Sequence, residues 1–423
     1  EIKDYLNLEF SKYEALYGIK PKETSRESVR LQVILDTAYQ KTGKQVVVLI
    51  DEYDSPLQHS WKTPEHKGCT EVYRSVFSVL KLKGNVLRFV FITGITKFTQ
   101  ISLFSVLNHL TNISFLPQFA PLCGITEEEM TVNFAPELEA LADKMECSIE
   151  EAHDKLKTYY DGYHFSDENM TDIYNPFSLL NALSQLRLRN YWISSGATSM
   201  LNKFVNNMEL RLHDFEDCYI DKDTLETSDV IEGGAELFLY QTGYLTIKGF
   251  DEDGYSLGFP NEEVRKALYK AVLPALTQKD ITDIVSIQSK LMHSLNNGNL
   301  EEAKKCMKSL ISNVPYSNKK LASMDMEERY RLIISTILNA IGCQVEVEHM
   351  LSTGRIDIVA STSRFIYVME LKLSNNGGLE AAEKQIISNG YLKPFLADGR
   401  KVIGLAVELD DMGKGLIDWK EVK

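Results

Sequence analysis

The stretch Gly354–Ala360 (GRIDIVA), followed by Phe365–Lys372 (FIYVMELK), constrains this chain more than any other segment. Two apolar runs flank a polar turn, Ser361-Thr362-Ser363-Arg364, which is the pattern of a β-hairpin. Asp357, Glu370 and Lys372 interrupt runs whose neighbours call for burial. Side chains alternate faces along a strand, so Glu370 and Lys372 share one face. A four-residue loop would pair Ala360 with Phe365 and set Asp357 opposite Val368, on that same face. One carboxylate from each strand and an ammonium two residues on then converge. A surface hairpin with a cross-strand ion pair uses the same residue types. The spacing, shared face and apolar setting favour a divalent-metal site with a cation beside it.

The residue types suit that chemistry. Oxygen ligands suit Mg²⁺ or Mn²⁺, and Mg²⁺ is commonly held by one or two carboxylates plus substrate phosphates. Such an ion lowers the pKa of bound water and stabilises charge on a phosphoryl oxygen. Lys372 is placed to orient that water or to neutralise developing charge.

Asp357 followed by Glu370-Leu371-Lys372 resembles the core of the PD-(D/E)XK nuclease superfamily, with Ile356 at the position of its proline. The resemblance implies a restriction-endonuclease-like α/β fold, metal ligation by Asp357 and Glu370, assistance from Lys372, and an acidic residue on the preceding helix. Apolar residues at Tyr330, Ile333, Ile334, Ile337, Leu338 and Ile341 predict a helix over Met326–Ile341. Glu327 lies in phase with that stripe and is the expected helical acid; a first-turn carboxylate favoured by the helix dipole is the other reading. A second helix over Leu379–Asn389 carries Gln385, where many members of the superfamily place a glutamine lining the site. An ordinary polar helix residue would look the same.

The front of the chain carries a second constellation. Val46–Ile50 (VVVLI) is the continuous apolar run of a central strand buried on both faces, ending in Asp51-Glu52-Tyr53-Asp54. A helical stretch around Glu65–Lys83 leads to a second strand, Leu87–Ile92, ending in Thr93-Gly94. Strands alternating with helices predict an α/β architecture with a largely parallel sheet and ligands at the strands' carboxyl ends. Asp51 and Glu52 match a Walker B element, and Thr93 sits at a sensor position on the adjacent strand. The phosphate-cradling G-x-x-x-x-G-K-[ST] does not occur between Glu1 and Lys423. ATP binding is therefore expected only if a P-loop lies upstream of Glu1.

Read in order, the chain resembles bacterial proteins that join an AAA-ATPase-like domain to a C-terminal PD-(D/E)XK nuclease-like domain. The segments that carry the likeness include Val46–Leu57, Phe89–Asn108, Tyr159–Phe165, Ile173–Leu183, Tyr191–Leu201 and the hairpin. The expected domains are an AAA-ATPase-like region with a helical extension over 1–225, a winged-helix-like module over 226–275, a helical linker over 276–320 and the nuclease-like domain over 321–423. The winged helix rests on Glu236–Ile247 and a hairpin with an acidic tip at Asp251-Glu252-Asp253. The linker reads as two helices joined around Asn296–Asn299 and ended by Pro315. The aromatic run Tyr159–Phe165 either stacks bases or fills a small core, and core is the better reading.

The chain has 423 residues, which suggests two or three domains. Its longest apolar runs are strand-sized, so no membrane span is expected. Its six cysteines contain no Cys-x-x-Cys pair. Zinc sites and a disulfide framework are disfavoured, and a reducing cytoplasm is the expected compartment. The net charge of −14 argues against a protein that coats nucleic acid generally. From Leu321 onward, however, 12 Lys and Arg stand against 15 Asp and Glu, a net of −3. The expected activity is Mg²⁺-dependent hydrolysis of nucleic-acid phosphodiesters, with DNA as substrate. The rivals are a scaffold without turnover and a nuclease fold that binds DNA without cutting it.

Overall fold

The apolar runs near the start of the chain form two parallel strands, β1 (Val46–Ile50) and β2 (Leu87–Ile92), in register from Val47–Phe89 to Ile50–Ile92. The computed structural model describes residues 2–20, 26–61, 63–95, 110–192, 201, 215–227, 233–277, 281–312 and 325–422. The chain divides into two compact units. One comprises Glu1–Cys123, His164–Thr171 and Tyr219–Leu257; the other comprises Gly124–Tyr163, Asp172–Cys218 and Gly258–Lys423.

In the first unit, the helices Glu27–Thr42 and His66–Leu82 cover one face of β1 and β2, where Leu35, Val79 and Val86 pack with Val46, Val48 and Leu87. Val47, Leu49 and Phe89 on the other face are 52%, 70% and 53% exposed. The apolar run predicted burial on both faces. Along β1 burial alternates instead, half-buried residues against the helices and exposed ones on the other face. Ile2–Tyr17 is tied to Glu27–Thr42 by Arg30 and Glu14, whose Nη2–Oε2 distance is 2.6 Å with both side chains nearly buried. A three-stranded sheet combines β3 (Cys218–Asp221), which precedes the Gly234–Gln241 helix, with β4 (Thr246–Phe250) and β5 (Gly254–Gly258), which follow it, in the order β3-β5-β4. At its acidic tip, Asp251 Oδ1 accepts from the backbone N–H groups of Asp253 and Gly254 and from Tyr219 OH. That carboxylate is committed to closing the turn. His164 is buried in this unit, its N–H donating to Thr246 Oγ1 at 2.7 Å.

In the second unit, helices Glu127–Asn133, Ala135–Met145, Ile149–Tyr160 and Pro176–Gln185 enclose Met130, Leu141, Leu156, Tyr160 and Leu179. Reciprocal caps, Thr126 with Glu129 and Ser148 with Glu151, fix where two of these helices begin. Tyr160 and Tyr163 are buried, so these aromatics serve as core. The helices Ile281–Asn296 and Leu300–Ile311 meet at the Asn297–Asn299 turn, where Asn299 caps the second. Pro315 and the 321 boundary lie outside the described residues, as do residues 96–108 and 193–200 of the resemblance segments.

The C-terminal sheet has five strands, β6 (Gln344–Leu351), β7 (Gly354–Ser361), β8 (Phe365–Leu373), β9 (Lys401–Leu409) and β10 (Leu416–Val422). They lie in the order β10-β9-β8-β7-β6. β8 and β9 run parallel, joined through the Gly378–Asn389 helix, and the other neighbours are antiparallel. The Met326–Ile341 helix buries Tyr330, Ile333, Ile334, Ile337 and Leu338 and packs against β6, β7 and β8. Asp325 caps its start by accepting from Glu327 N–H, and Gly342 ends it at φ +101°. Tyr330 OH donates to Asp410 O and accepts from Gly415 N–H, tying the helix to the β9–β10 turn. No helix among the described residues is long and apolar enough to cross a membrane.

Candidate active site

The β7–β8 hairpin has a tighter turn than its sequence suggests. Thr362 N–H donates to Phe365 O at 2.8 Å, and Thr362 Oγ1 accepts from Phe365 N–H at 3.0 Å. The loop is therefore Ser363-Arg364, and Ala360 pairs with Tyr367 instead of Phe365. The threonine side chain closes the turn locally, which spacing alone does not reveal. Each partner moves by two residues, so every side chain keeps its face. Continued one residue past the Ile358–Met369 pair, the register sets Asp357 opposite Glu370, where Val368 was expected.

Asp357 is held by both strands and by the helix. Its Oδ2 accepts from Leu371 N–H at 2.8 Å, and its Oδ1 accepts from Arg331 Nη1 at 3.0 Å. Glu370 is 1% exposed; its Oε1 takes a hydrogen bond from Lys372 Nζ at 2.9 Å, and its Oε2 is buried without a hydrogen-bond partner. Burial first, and then the Asp357 carboxylate, push the Glu370 carboxyl well above the usual carboxylate range, against the pull of Lys372. Burial alone would lower the Lys372 ammonium, but Glu370, Asp357 and Glu327 outweigh it and hold it above its usual value. Lys372 is thus a fixed cation at neutral pH. Glu327 stands 3.8 Å from Lys372 Nζ, its carboxyl raised by burial and further by Asp357.

Asp357, Glu370, Lys372 and Glu327 are thus neighbours. Gln385 is not bonded to them: its Nε2 donates to Tyr391 OH at 3.2 Å, and that hydroxyl donates to Arg355 O on β7. Three further charged residues stand around Asp357. Arg331 bridges Asp357 and Glu348, with Nη2 at 3.0 Å from Glu348 Oε1, and Arg355 Nη1 approaches the same oxygen at 3.1 Å. Arg331 was readable as the i+4 neighbour of Glu327 on one helix face. Glu348 becomes visible only once the tight β6–β7 turn, pairing Leu351 with Gly354, sets it opposite Asp357.

Among the described residues, no group of three or more His, Cys, Asp or Glu side chains is gathered to hold a metal ion. The donor set at the hairpin is two carboxylates, with one buried oxygen left unpartnered. Like charges this close are costly unless a cation or proton joins them. Hard oxygen donors in that number suit Mg²⁺ or Mn²⁺ completed by water and phosphate.

Residues 325–419, which hold this whole cluster, match the family model of the PD-(D/E)XK nuclease superfamily. The C-terminal segment is a PD-(D/E)XK nuclease superfamily domain. Residues 1–104 match a second family model, described as a predicted AAA-ATPase. The chain is similar to the "Uncharacterized protein in vnfD 5'region" of Azotobacter chroococcum mcd 1. The two are 28% identical over 405 residues, which span 94% of this chain and 75% of that protein. No solved structure matches the chain. PD-(D/E)XK nucleases generally use divalent metal ions, which accords with the oxygen donors of the hairpin.

In the AAA-ATPase-like segment, Asp51 and Glu52 follow β1 and Thr93 follows β2. Thr93 Oγ1 donates to Asp51 Oδ1, and Thr93 N–H donates to Ile50 O at 2.9 Å. Glu52 turns the chain at φ +49°. Asp54, four residues past the strand, is 1% exposed and accepts from Gln58 Nε2 and Ile95 N–H. Asp51 and Glu52 are thus exposed at the strand end, while Asp54 ties the loop together.

Proposed function

We propose that the PD-(D/E)XK domain hydrolyses nucleic-acid phosphodiesters with Mg²⁺ or Mn²⁺, and that DNA is the substrate. The observation that carries this reading is the buried, unpartnered Glu370 Oε2 beside Asp357, flanked by the Lys372 ammonium. Asp357 and Glu370 are the metal ligands. When bound, the ion supplies an acidified water and a Lewis acid for the phosphoryl oxygen. Lys372 lies against the charge that builds on that oxygen, and its fixed positive charge suits stabilisation better than proton abstraction. Glu327 keeps Lys372 in place from the helix side, and Gln385 supports the β7 backbone through Tyr391. In the net step, water's oxygen bonds to phosphorus and the bond to the leaving sugar oxygen breaks. That oxygen takes up a proton, and one is lost from the attacking water.

The acidic whole-chain charge does not oppose this. Around the hairpin, Arg331, Arg355 and Lys372 stand against Asp357, Glu370, Glu327 and Glu348. One divalent ion turns that balance positive, as a phosphate requires. We infer further a P-loop-NTPase-like sheet, in which Asp51, Glu52 and Thr93 would serve an ATP site only where a P-loop completes it, and a winged-helix-like module near 226–275. Nucleotide binding would then gate cleavage; equal cleavage by a P-loop-containing protein with and without ATP would sink that coupling. A second reading, a nuclease fold that binds DNA without cutting, draws on Arg331 occupying Asp357 Oδ1. Incubation of the chain with plasmid and single-stranded DNA and Mn²⁺ separates the two: retention without nicking favours the second.

A further inference from the structure

Arg331 is not a simple surface ion pair. Its side chain is 13% exposed, and its guanidinium is forked between two carboxylates, Nη1 on Asp357 Oδ1 and Nη2 on Glu348 Oε1, each at 3.0 Å. A guanidinium presents rigid, divergent donors and can keep one acceptor while releasing the other. Glu348 lies on β6 directly opposite Asp357, between the Val347–Ile358 and His349–Ile356 pairs, yet its φ is +56°. The left-handed region is a sterically unfavourable place for a residue with a side chain inside a strand. That backbone excursion coincides with a carboxylate that receives both Arg331 and Arg355.

We propose that Arg331 competes with the divalent cation for Asp357, and that Glu348 is the seat onto which Arg331 withdraws when the cation binds. The proposal rests on the metal-site reading above. Each Asp357 oxygen already accepts one hydrogen bond, Oδ2 from the backbone N–H of Leu371 and Oδ1 from Arg331, and of the two donors only the Arg331 side chain can swing aside for a cation shared with Glu370. Arg331 stands on that oxygen. With Arg331 there, the Asp357 charge is neutralised in the absence of metal. With Arg331 withdrawn, Glu348 keeps the guanidinium paired beside Arg355, forming a two-arginine rim suited to a backbone phosphate next to the scissile one. Arg331 and Glu348 are therefore positioning residues for the cation, acting through Asp357.

The test is Mn²⁺ binding by the full chain, measured by isothermal titration calorimetry without DNA. Arg331→Gln should tighten Mn²⁺ binding by about tenfold, the range of ordinary coupling between competing ligands. Arg331→Lys keeps the charge but cannot span two carboxylates, and should tighten it by roughly threefold; it serves if the glutamine variant does not fold. Glu348→Gln should weaken binding, because Arg331 then has only Asp357 to sit on. The double variant should behave like Arg331→Gln alone. Unchanged or weaker binding in both Arg331 variants overturns the proposal, as does a Glu348→Gln deficit that persists in full in the double variant, which marks direct attraction instead. If the parent chain binds no Mn²⁺, or binds it equally after Asp357→Asn, the metal-site reading itself is overturned, and this proposal with it.

Discussion

The backbone N–H of Leu371 donates to Asp357 Oδ2 at 2.8 Å, so the carboxylate of β7 is fixed by the peptide that joins Glu370 to Leu371. The two strands cannot slip without breaking this bond, because any shift would carry Leu371 away from Asp357. A buried acceptor left without its donor costs about 1–3 kcal/mol. Register and site geometry are therefore one constraint.

Glu370 is strained by its neighbours in the metal-free protein. Its carboxyl is buried, faces Asp357 and leaves Oε2 unpartnered. Glu370→Gln removes a like charge and offers an amide N–H to Asp357. We predict that it stabilises the metal-free chain by about 1 kcal/mol in urea unfolding, while abolishing metal-dependent cleavage. A destabilised variant would show that the carboxylate is instead a favourable part of the core.

Asp161 gives the second unit a pH dependence. It is 2% exposed, and burial, followed by the Asp172 and Glu127 charges, raises its carboxyl from 3.8 to about 6. The folded state holds this proton more tightly than the unfolded chain does. Its contribution is therefore fully present below about pH 4 and lost as pH rises through about 6. Asp161→Asn should flatten stability between these values and gain on the order of 2 kcal/mol at pH 7.5. Parallel parent and variant curves across that window would contradict the assignment.

Gly94 lets the chain after β2 pass the Asp54 loop. A Cβ there would lie 2.5 Å from the Tyr53 ring and 2.6 Å from Asp54 Oδ1, and both residues are buried. Gly94→Ala should destabilise the first unit by about 1–3 kcal/mol. The increased proteolysis should begin in that unit, with cleavage sites mapped by mass spectrometry; a protease pattern like the parent's would refute the close approach.

Much of the scaffold was legible because burial dictates periodicity. The apolar runs mark Val46–Ile50 and Leu87–Ile92 as strands and Met326–Ile341 as a helix, with bounds that the structure reproduces. The hairpin acids converge on the expected face because the turn error was an even shift, which preserves strand alternation. What failed was what depends on a single side chain or on coverage. The Thr362 hydroxyl shortened the loop, and the second face of β1 stays open although its residues are as apolar as those of a buried strand. Arg331 and Glu348 were not singled out, because a charged helix residue and a Glu in an alternating strand look like solvated faces. Strand register brings Glu348 to Asp357, and Arg331 reaches it from the helix face that also carries Glu327.

The central claim is that Asp357, Glu370 and Lys372 form a metal-dependent phosphodiesterase site. The most direct test is nicking of supercoiled plasmid and cutting of single-stranded DNA in Mn²⁺, with the parent chain beside Asp357→Ala and Lys372→Ala. The account predicts cleavage that chelator abolishes and that falls at least about a hundredfold in both variants, the usual scale for loss of an electrostatic catalytic group. Cleavage that survives in either variant, or no cleavage by a parent chain that binds Mn²⁺ and DNA together, would contradict it.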